Sequence, residues 1–255
     1  EEAQEEKEPL IPEIDTSVEL QAGSRVAVVS KSTSGEFWGL VKKGMEQAIA
    51  DVNEAYGFKK EDQVTMTFEG ASDEIDAVIA ENPDVLCVSA SDMDSLQAQL
   101  EAAKENGIPV VAFDSGVTDS KMVRAFRGTD NTRVGEIAAY RLATAIGKMG
   151  KVAVFSAQEK TQSIQERVSG FTNYITNYPD IEVVEIVYQD QVDDMTAAMQ
   201  EVLDKYPQLD GVFCDNADIA DLYLDMKKDE TKDSIVMVGV DATAKQQEAI
   251  RNAKE

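Results

Sequence analysis

The 255-residue sequence predicts an α/β protein built as two similar doubly wound parallel-sheet lobes joined by a hinge. Three observations carry that expectation. Short apolar runs alternate with amphipathic helical stretches from Arg25 onward, which is the pattern of strand–helix–strand crossovers onto a parallel sheet. The strand runs are almost wholly apolar, as strands covered on both faces must be. The alternation also restarts near Gly128-Thr129, so two cycles stand in tandem.

In the first cycle, residues 26–29 (Val-Ala-Val-Val) predict a strand, and residues 37–56 a helix with Leu40, Val41, Met45, Ala48, Ile49 and Val52 on one stripe. Strands follow at 64–68, 84–88 and 109–113. Ser72-Asp73-Glu74 offers a capped start to a short helix bearing Ile75, Val78 and Ile79, and residues 95–106 form a longer helix ended by Gly107. After residues 122–126 the second cycle predicts helices at 132–147, 164–177 and 195–205, a short helix after Asp218 and a last one from Thr243. Its strands fall at 151–155, 181–188, 211–214 and 235–240. The expected organisation is a tether over 1–24, one lobe over 25–128 and a second over 129–255. Residues 1–22 hold eight acids against Lys7 alone, with Pro9 and Pro12, and read as a solvated, disordered tether, either a plain tail or a spacer below an upstream membrane anchor.

Composition removes several functions. Lys and Arg number 24 against 49 Asp and Glu, a net charge of −25, which opposes nucleic-acid binding. Histidine is absent, excluding His-based triads and His metal ligands, and no metal site or cofactor is expected. The apolar content of 43% supports a large core. No apolar run is long enough to span a bilayer, and a form whose targeting segment has been removed is expected. Cys87 and Cys214 both sit in strand runs and read as small buried hydrophobes.

Ligands of open parallel sheets bind beyond the carboxyl ends of the strands. The residues there are 30–38 after the first strand, Asp114 and Ser115 after Phe113, and 156–163 with Arg167 a turn into the next helix. Asp190 and Gln191 follow Tyr188, Asp215 and Asn216 follow Cys214, and Asp241 follows Val240. Carboxylate, amide and guanidinium groups make paired hydrogen bonds to vicinal hydroxyls, and flat aromatic rings cover the C–H faces of a sugar. Neither glycine-rich phosphate motif occurs in the first loop. A polyol or pyranose therefore suits the set better than a nucleotide. Alternatives stay open residue by residue: Asp114 and Asp241 as helix or turn caps, Phe37-Trp38 as core, Arg167 as a surface cation beside Glu166, Asn216 as a turn residue.

The chain from Arg25 onward resembles the ribose/galactose-type substrate-binding proteins of bacterial ABC transporters, with the type I periplasmic-binding-protein fold. The residues that carry the resemblance are Val26–Ser30 with Phe37-Trp38, Ile108–Ser115, and Thr129-Asp130-Asn131 with Gly135 and Ala138. Glu166-Arg167 with Gly170-Phe171, Phe213–Asp218 and Val238–Asp241 complete the set, in the family's order. The resemblance implies that Phe37 and Trp38 sandwich a sugar whose hydroxyls are bound by Asp114, Arg167, Asn216 and Asp241. Thr33 or Ser34 supplies a first-loop contact. Ser115 stands where some members have Arg, and Asp190 or Gln191 falls near an often aromatic ligand position. The family's last interlobe crossings have no counterpart before Glu255.

It further implies a non-enzymatic, monomeric, extracytoplasmic receptor or lipoprotein that closes about its hinge and docks on a transporter permease, touching the membrane only through a lipid anchor. The effector-binding core of a LacI-type transcriptional regulator is the alternative, since it shares the fold. An enzyme using Asp114 and Asp241 as paired carboxylates is a third reading.

Overall fold

The computed structural model describes residues 13–70, 74–227 and 234–253. Strands β1 (Arg25–Ser30), β2 (Thr65–Gly70), β3 (Val85–Val88), β4 (Val110–Phe113) and β5 (Ala125–Arg127) form one sheet in the order β2-β1-β3-β4-β5. Strands β6 (Gly150–Ser156), β7 (Ile181–Tyr188), β8 (Gly211–Cys214) and β9 (Val236–Gly239) form a second in the order β7-β6-β8-β9. Every pairing in both sheets is parallel. The first strand of each cycle thus lies inside its sheet and the second lies at an edge.

Burial follows the apolar runs. Ala27, Val29, Leu86, Val88, Val110 and Ala112 pack against Ile75, Val78 and Ile79 of α2 (Ile75–Ala80) and Leu100 and Ala103 of α3 (Gln97–Glu105). In the second lobe, Val152–Phe155 and Val212–Cys214 are fully buried. They meet Leu142 of α4 (Asn131–Ala145), Phe171 of α5 (Gln162–Ile175) and Met199 of α6 (Met195–Lys205). Phe171 stacks on Phe213 with centroids 4.7 Å apart. The stripe expected on α1 (Glu36–Ala55) is only partly covered: Val41, Met45, Ile49 and Val52 are half-buried, while Leu40 and Ala48 are exposed. The helix packs along edge strand β2.

Element positions match the sequence expectation closely, with α2 a six-residue helix as the short crossover requires. The cap expected at Ser72-Asp73 lies outside the described residues. So do residues 1–12 of the expected tether. Residues 13–24 are held against the first lobe: Tyr56 Oη donates to the carbonyls of Asp15 (3.1 Å) and Val18 (2.7 Å), and Gly23 N–H donates to Asp62 (2.8 Å).

The chain leaves the first sheet at Arg127 and enters α4 of the second lobe at Asn131, where the Asp130 carboxylate accepts from Arg133 N–H at 2.9 Å. Two further helices, α7 (Ala217–Lys227) and α8 (Ala244–Asn252), flank β9. Helices α4 and α5 touch backbone to backbone through Gly135 and Gly170: a Cβ on Gly135 would lie 2.1 Å from the Arg167 carbonyl oxygen, and one on Gly170 2.2 Å from that of Thr132. No side chain larger than hydrogen fits either place, and this contact sets α5, with Arg167, against the N-terminus of α4.

Candidate functional site

The carboxyl ends of β1 and β4 in the first lobe face the loop after β6 and the start of α5 in the second. Asp114, directly after β4, has φ 58°, and Asp241, just beyond β9, has φ 72°. A left-handed backbone at a residue with a side chain is uncommon and strained; here it recurs at a strand end in each lobe. The Asp114 carboxylate forms an ion pair with Lys31 Nζ at 2.7 Å, and the same Oδ2 accepts from Ser89 Oγ at 3.2 Å. Lys31 Nζ also donates to Ser115 Oγ (2.8 Å) and lies 5.7 Å from the Trp38 ring centre. Burial pulls the Lys31 pKa down and the Asp114 charge opposes that. Asp114 is therefore more than a cap.

Trp38 is half-buried and meets Phe113 edge to face at 6.4 Å. Phe37 is 38% exposed and meets Trp38 at 5.1 Å with the ring planes at 86°. The two rings are surface groups at the cleft, not core. Here the rings expected to sandwich a sugar stand in mutual edge-to-face contact, forming one corner.

From the second lobe, Arg167 is 9% exposed and belongs to no surface pair with Glu166. Its Nε donates to Asn131 Oδ1 at 2.8 Å, and one terminal nitrogen donates to the Asp215 carbonyl at 2.8 Å. Ser163, one turn earlier on α5, reaches Ser115 Oγ of the first lobe at 2.8 Å. Ser115 is fully buried between the lobes. Thr161 Oγ1 donates to the Ser91 carbonyl, and Gly116 N–H to Gln162 Oε1, so this one loop and helix start carry several links between lobes.

Asn216 Oδ1 accepts from Ile219 N–H at 2.9 Å and so caps the first turn of α7. Asp241 is exposed; its carboxylate accepts from Ala217 N–H at 2.9 Å, while Thr243 caps α8. Both hold the same helix start at the β8 end. Asp190 and Gln191 are exposed and engage Glu159, through its N–H at 3.2 Å and its carboxylate at 2.7 Å. Thr33 and Ser34 are exposed as well. Thr33 leans over Gly70 at the end of β2, and Ser34 pairs with Ser32 at 3.0 Å. The structure thus links Trp38, Lys31, Asp114, Ser115 and Ser163 in one continuous group, with Arg167 one turn beyond Ser163 on α5, and leaves Thr33, Ser34, Asp190 and Gln191 in contacts outside it.

Lys31, Asn131, Ser163 and Asp215 are residues to which sequence reasoning gave no role in the site. Lys31, Ser163 and Asp215 stand among the strand-end residues and Asn131 at the crossing between the lobes, but nothing in sequence shows which of them turn inward. Asp215 is fully buried, accepting from Ser156 Oγ and from Ala157 N–H at 3.2 Å. Burial pushes its pKa up to about 7, against the hydrogen bonds from Ser156 and Ala157 and the charge of Arg167. A carboxyl whose pKa is raised on folding binds more protons folded than unfolded, so stability falls as pH rises from about 4 to about 7 and levels off above. Asp215→Asn keeps an acceptor for Ala157 and a partner for Ser156. It is expected to remove that slope and to raise stability at pH 8 by roughly 2–4 kcal/mol, with urea titrations across pH as the measurement. An unchanged slope would show that Asp215 does not titrate there.

Cys214 is fully buried and Cys87 half-buried. Burial raises both thiols, Cys87 to about 11, so neither is a ready nucleophile. An apolar groove of about 680 Å³ runs beside edge strand β7, lined by Ile175, Tyr178, Ile181 and Val183; it lies toward the opposite ends of the strands from the polar group.

Comparison with known proteins identifies the fold family. The ribose import binding protein of Bacillus subtilis (strain 168) is 26% identical over 181 residues, covering 71% of this chain and 58% of that protein. The xylitol-binding protein of Mycolicibacterium smegmatis is 24% identical, covering 66% of this chain and 48% of that protein. The chain therefore spans about half the length of these relatives. Among solved structures, an ABC transporter solute-binding protein of Agrobacterium vitis with bound D-fucose superposes with a TM-score of 0.79 at 29% identity, covering 90% of this chain and 80% of that one. One from Agrobacterium radiobacter in complex with D-arabinose gives 0.78 at 25% identity, covering 91% and 80%. The family model for the periplasmic binding protein domain matches residues 26–254. With two parallel sheets, polar strand ends facing across one cleft and a match running nearly end to end, the chain belongs to the periplasmic binding protein domain family.

Proposed function

We propose that this chain captures a monosaccharide or related polyol between its two lobes and, without chemical turnover, presents it to the permease of an ABC transporter. The observation that carries the reading is the convergence of Trp38, Asp114 and Arg167. An aromatic face, a carboxylate and a guanidinium, drawn from both lobes, meet at the strand ends. Asp114 Oδ2 is occupied by Lys31 and Ser89, so its Oδ1 is the oxygen that accepts from a hydroxyl. Arg167 spends two nitrogens on Asn131 and Asp215 and directs the third at the ligand. Asn216 and Asp241 close the far side, and Thr33, Ser34, Asp190 and Gln191 form the rim. Relatives that bind ribose and xylitol, and neighbours holding D-fucose and D-arabinose, support this class of ligand. We place the protein outside the cytoplasmic membrane, as a monomer tethered by its acidic N-terminal stretch to a lipid anchor, with the lobes meeting at residues 128–131.

A thermal-shift screen with D-ribose, D-fucose, D-arabinose, D-allose and xylitol tests the reading, since a ligand of the folded state raises Tm by mass action. At least one is expected to do so. Trp38→Ala is then expected to weaken that ligand by about tenfold or more in calorimetry, the loss of one aromatic cover. A flat response to every sugar and polyol would overturn the proposal.

A further inference from the structure

We propose that Lys31 is a positioning residue that couples the ligand site to the contact between the lobes, acting through Ser115 on Ser163. The inference rests on the sugar-receptor reading above. Lys31 Nζ can only donate, so Ser115 Oγ, 2.8 Å away, must accept from it. That leaves Ser115 one proton to give. Ser163 Oγ stands at 2.8 Å and Asp114 Oδ2, already taken by Lys31 and Ser89, at 3.3 Å. The shorter and less crowded direction is across the cleft, so the ammonium orders a relay running from Lys31 to Ser115 to Ser163. Ser115 and Ser163 are 0% and 3% exposed, so water does not replace a missing partner without cost.

The relay ends where ligand binding begins. Ser163 and Arg167 are four residues apart on α5 and share one face of the helix. Drawing Ser163 to the first lobe therefore brings the Arg167 guanidinium toward Asp114 and Trp38. The groups charged toward Lys31 are Asp114, which holds it at 2.7 Å, and Arg167 from the opposite lobe, whose charge it feels. Two cations converge only because the Asp114 carboxylate stands beside Lys31. Occupancy of Asp114 Oδ1 and contact between the lobes are thereby read by the same ammonium group.

A double-mutant cycle tests this. Lys31→Met keeps the stem against Trp38 and removes the donors; Ser163→Ala cuts the relay at its other end, in the other lobe. Calorimetry uses whichever of D-ribose, D-fucose, D-arabinose, D-allose or xylitol binds the wild type. Each single change is expected to weaken binding by about tenfold, and the pair together by little more than either alone, because groups that act as one unit are not additive. Losses that multiply independently overturn the coupling. Small-angle scattering without sugar gives a second readout: both single variants are expected to show a larger radius of gyration than wild type, and unchanged radii in both would overturn the proposal. If no sugar binds the wild type, the receptor reading fails, and the scattering comparison still decides whether the relay holds the lobes.

Discussion

Alanine at Gly170 is expected to cost about 3 kcal/mol or more of folding free energy, at the upper end of what overpacking does. The added Cβ would sit 2.2 Å from the Thr132 carbonyl oxygen, and its counterpart on Gly135 2.1 Å from that of Arg167 and 2.6 Å from the Phe171 nitrogen. The obstacles are backbone atoms that no rotamer change can move aside, so α4 and α5 must separate. Separation carries Asn131 away from Arg167 and loosens Phe171 from Phe213. Stability and sugar affinity are thus expected to fall together. Chemical denaturation gives the first quantity and calorimetry the second. A Gly170→Ala protein of wild-type stability would mean that the two helices do not touch as described.

Arg167→Ala is the second large effect. Its guanidinium satisfies Asn131 Oδ1, on a residue 1% exposed, and the Asp215 carbonyl beneath the cleft. Truncation strands both acceptors, at about 1–3 kcal/mol each in lost stability. Binding is expected to weaken by roughly tenfold to a hundredfold, the equivalent of about 1.5–3 kcal/mol for a hydrogen bond from a charged donor. Arg167→Lys separates the parts: it keeps the charge but not the planar fork that serves several acceptors at once. It should recover some binding and little of the geometry. Calorimetry in which the alanine protein binds sugar as tightly as wild type would remove Arg167 from the site.

Much of the proposed site is legible because strand ends are legible. A continuous apolar run such as Val152–Phe155 or Val212–Cys214 announces a strand covered on both faces, and the first polar residue after it marks the end where parallel sheets bind ligands. Asp114 and Asp241 are found that way; Asn216 is one residue further on, and Arg167 lies a turn into the helix that follows β6. What the run does not announce is which way a loop residue turns. Ser115 and Asp114 are neighbours, yet one is sealed between the lobes and the other faces the cleft. Lys31 and Thr33 are two residues apart, and only Lys31 reaches Asp114. Phe37 and Trp38 read as a matched pair, but their rotamers, which the sequence does not show, set them edge to face.

The class of fold, the order of elements, the polar strand ends and the absence of imidazole chemistry can all be read along the chain, because periodicity and composition are local properties. Only the tertiary structure decided that Gly135 and Gly170 bring two backbones together, that Asp215 is buried with a pKa near neutrality, and that Lys31 reaches the other lobe through two serines. Each of these depends on contacts between residues far apart along the chain, and their energies come from excluded water and close approach that no local pattern encodes.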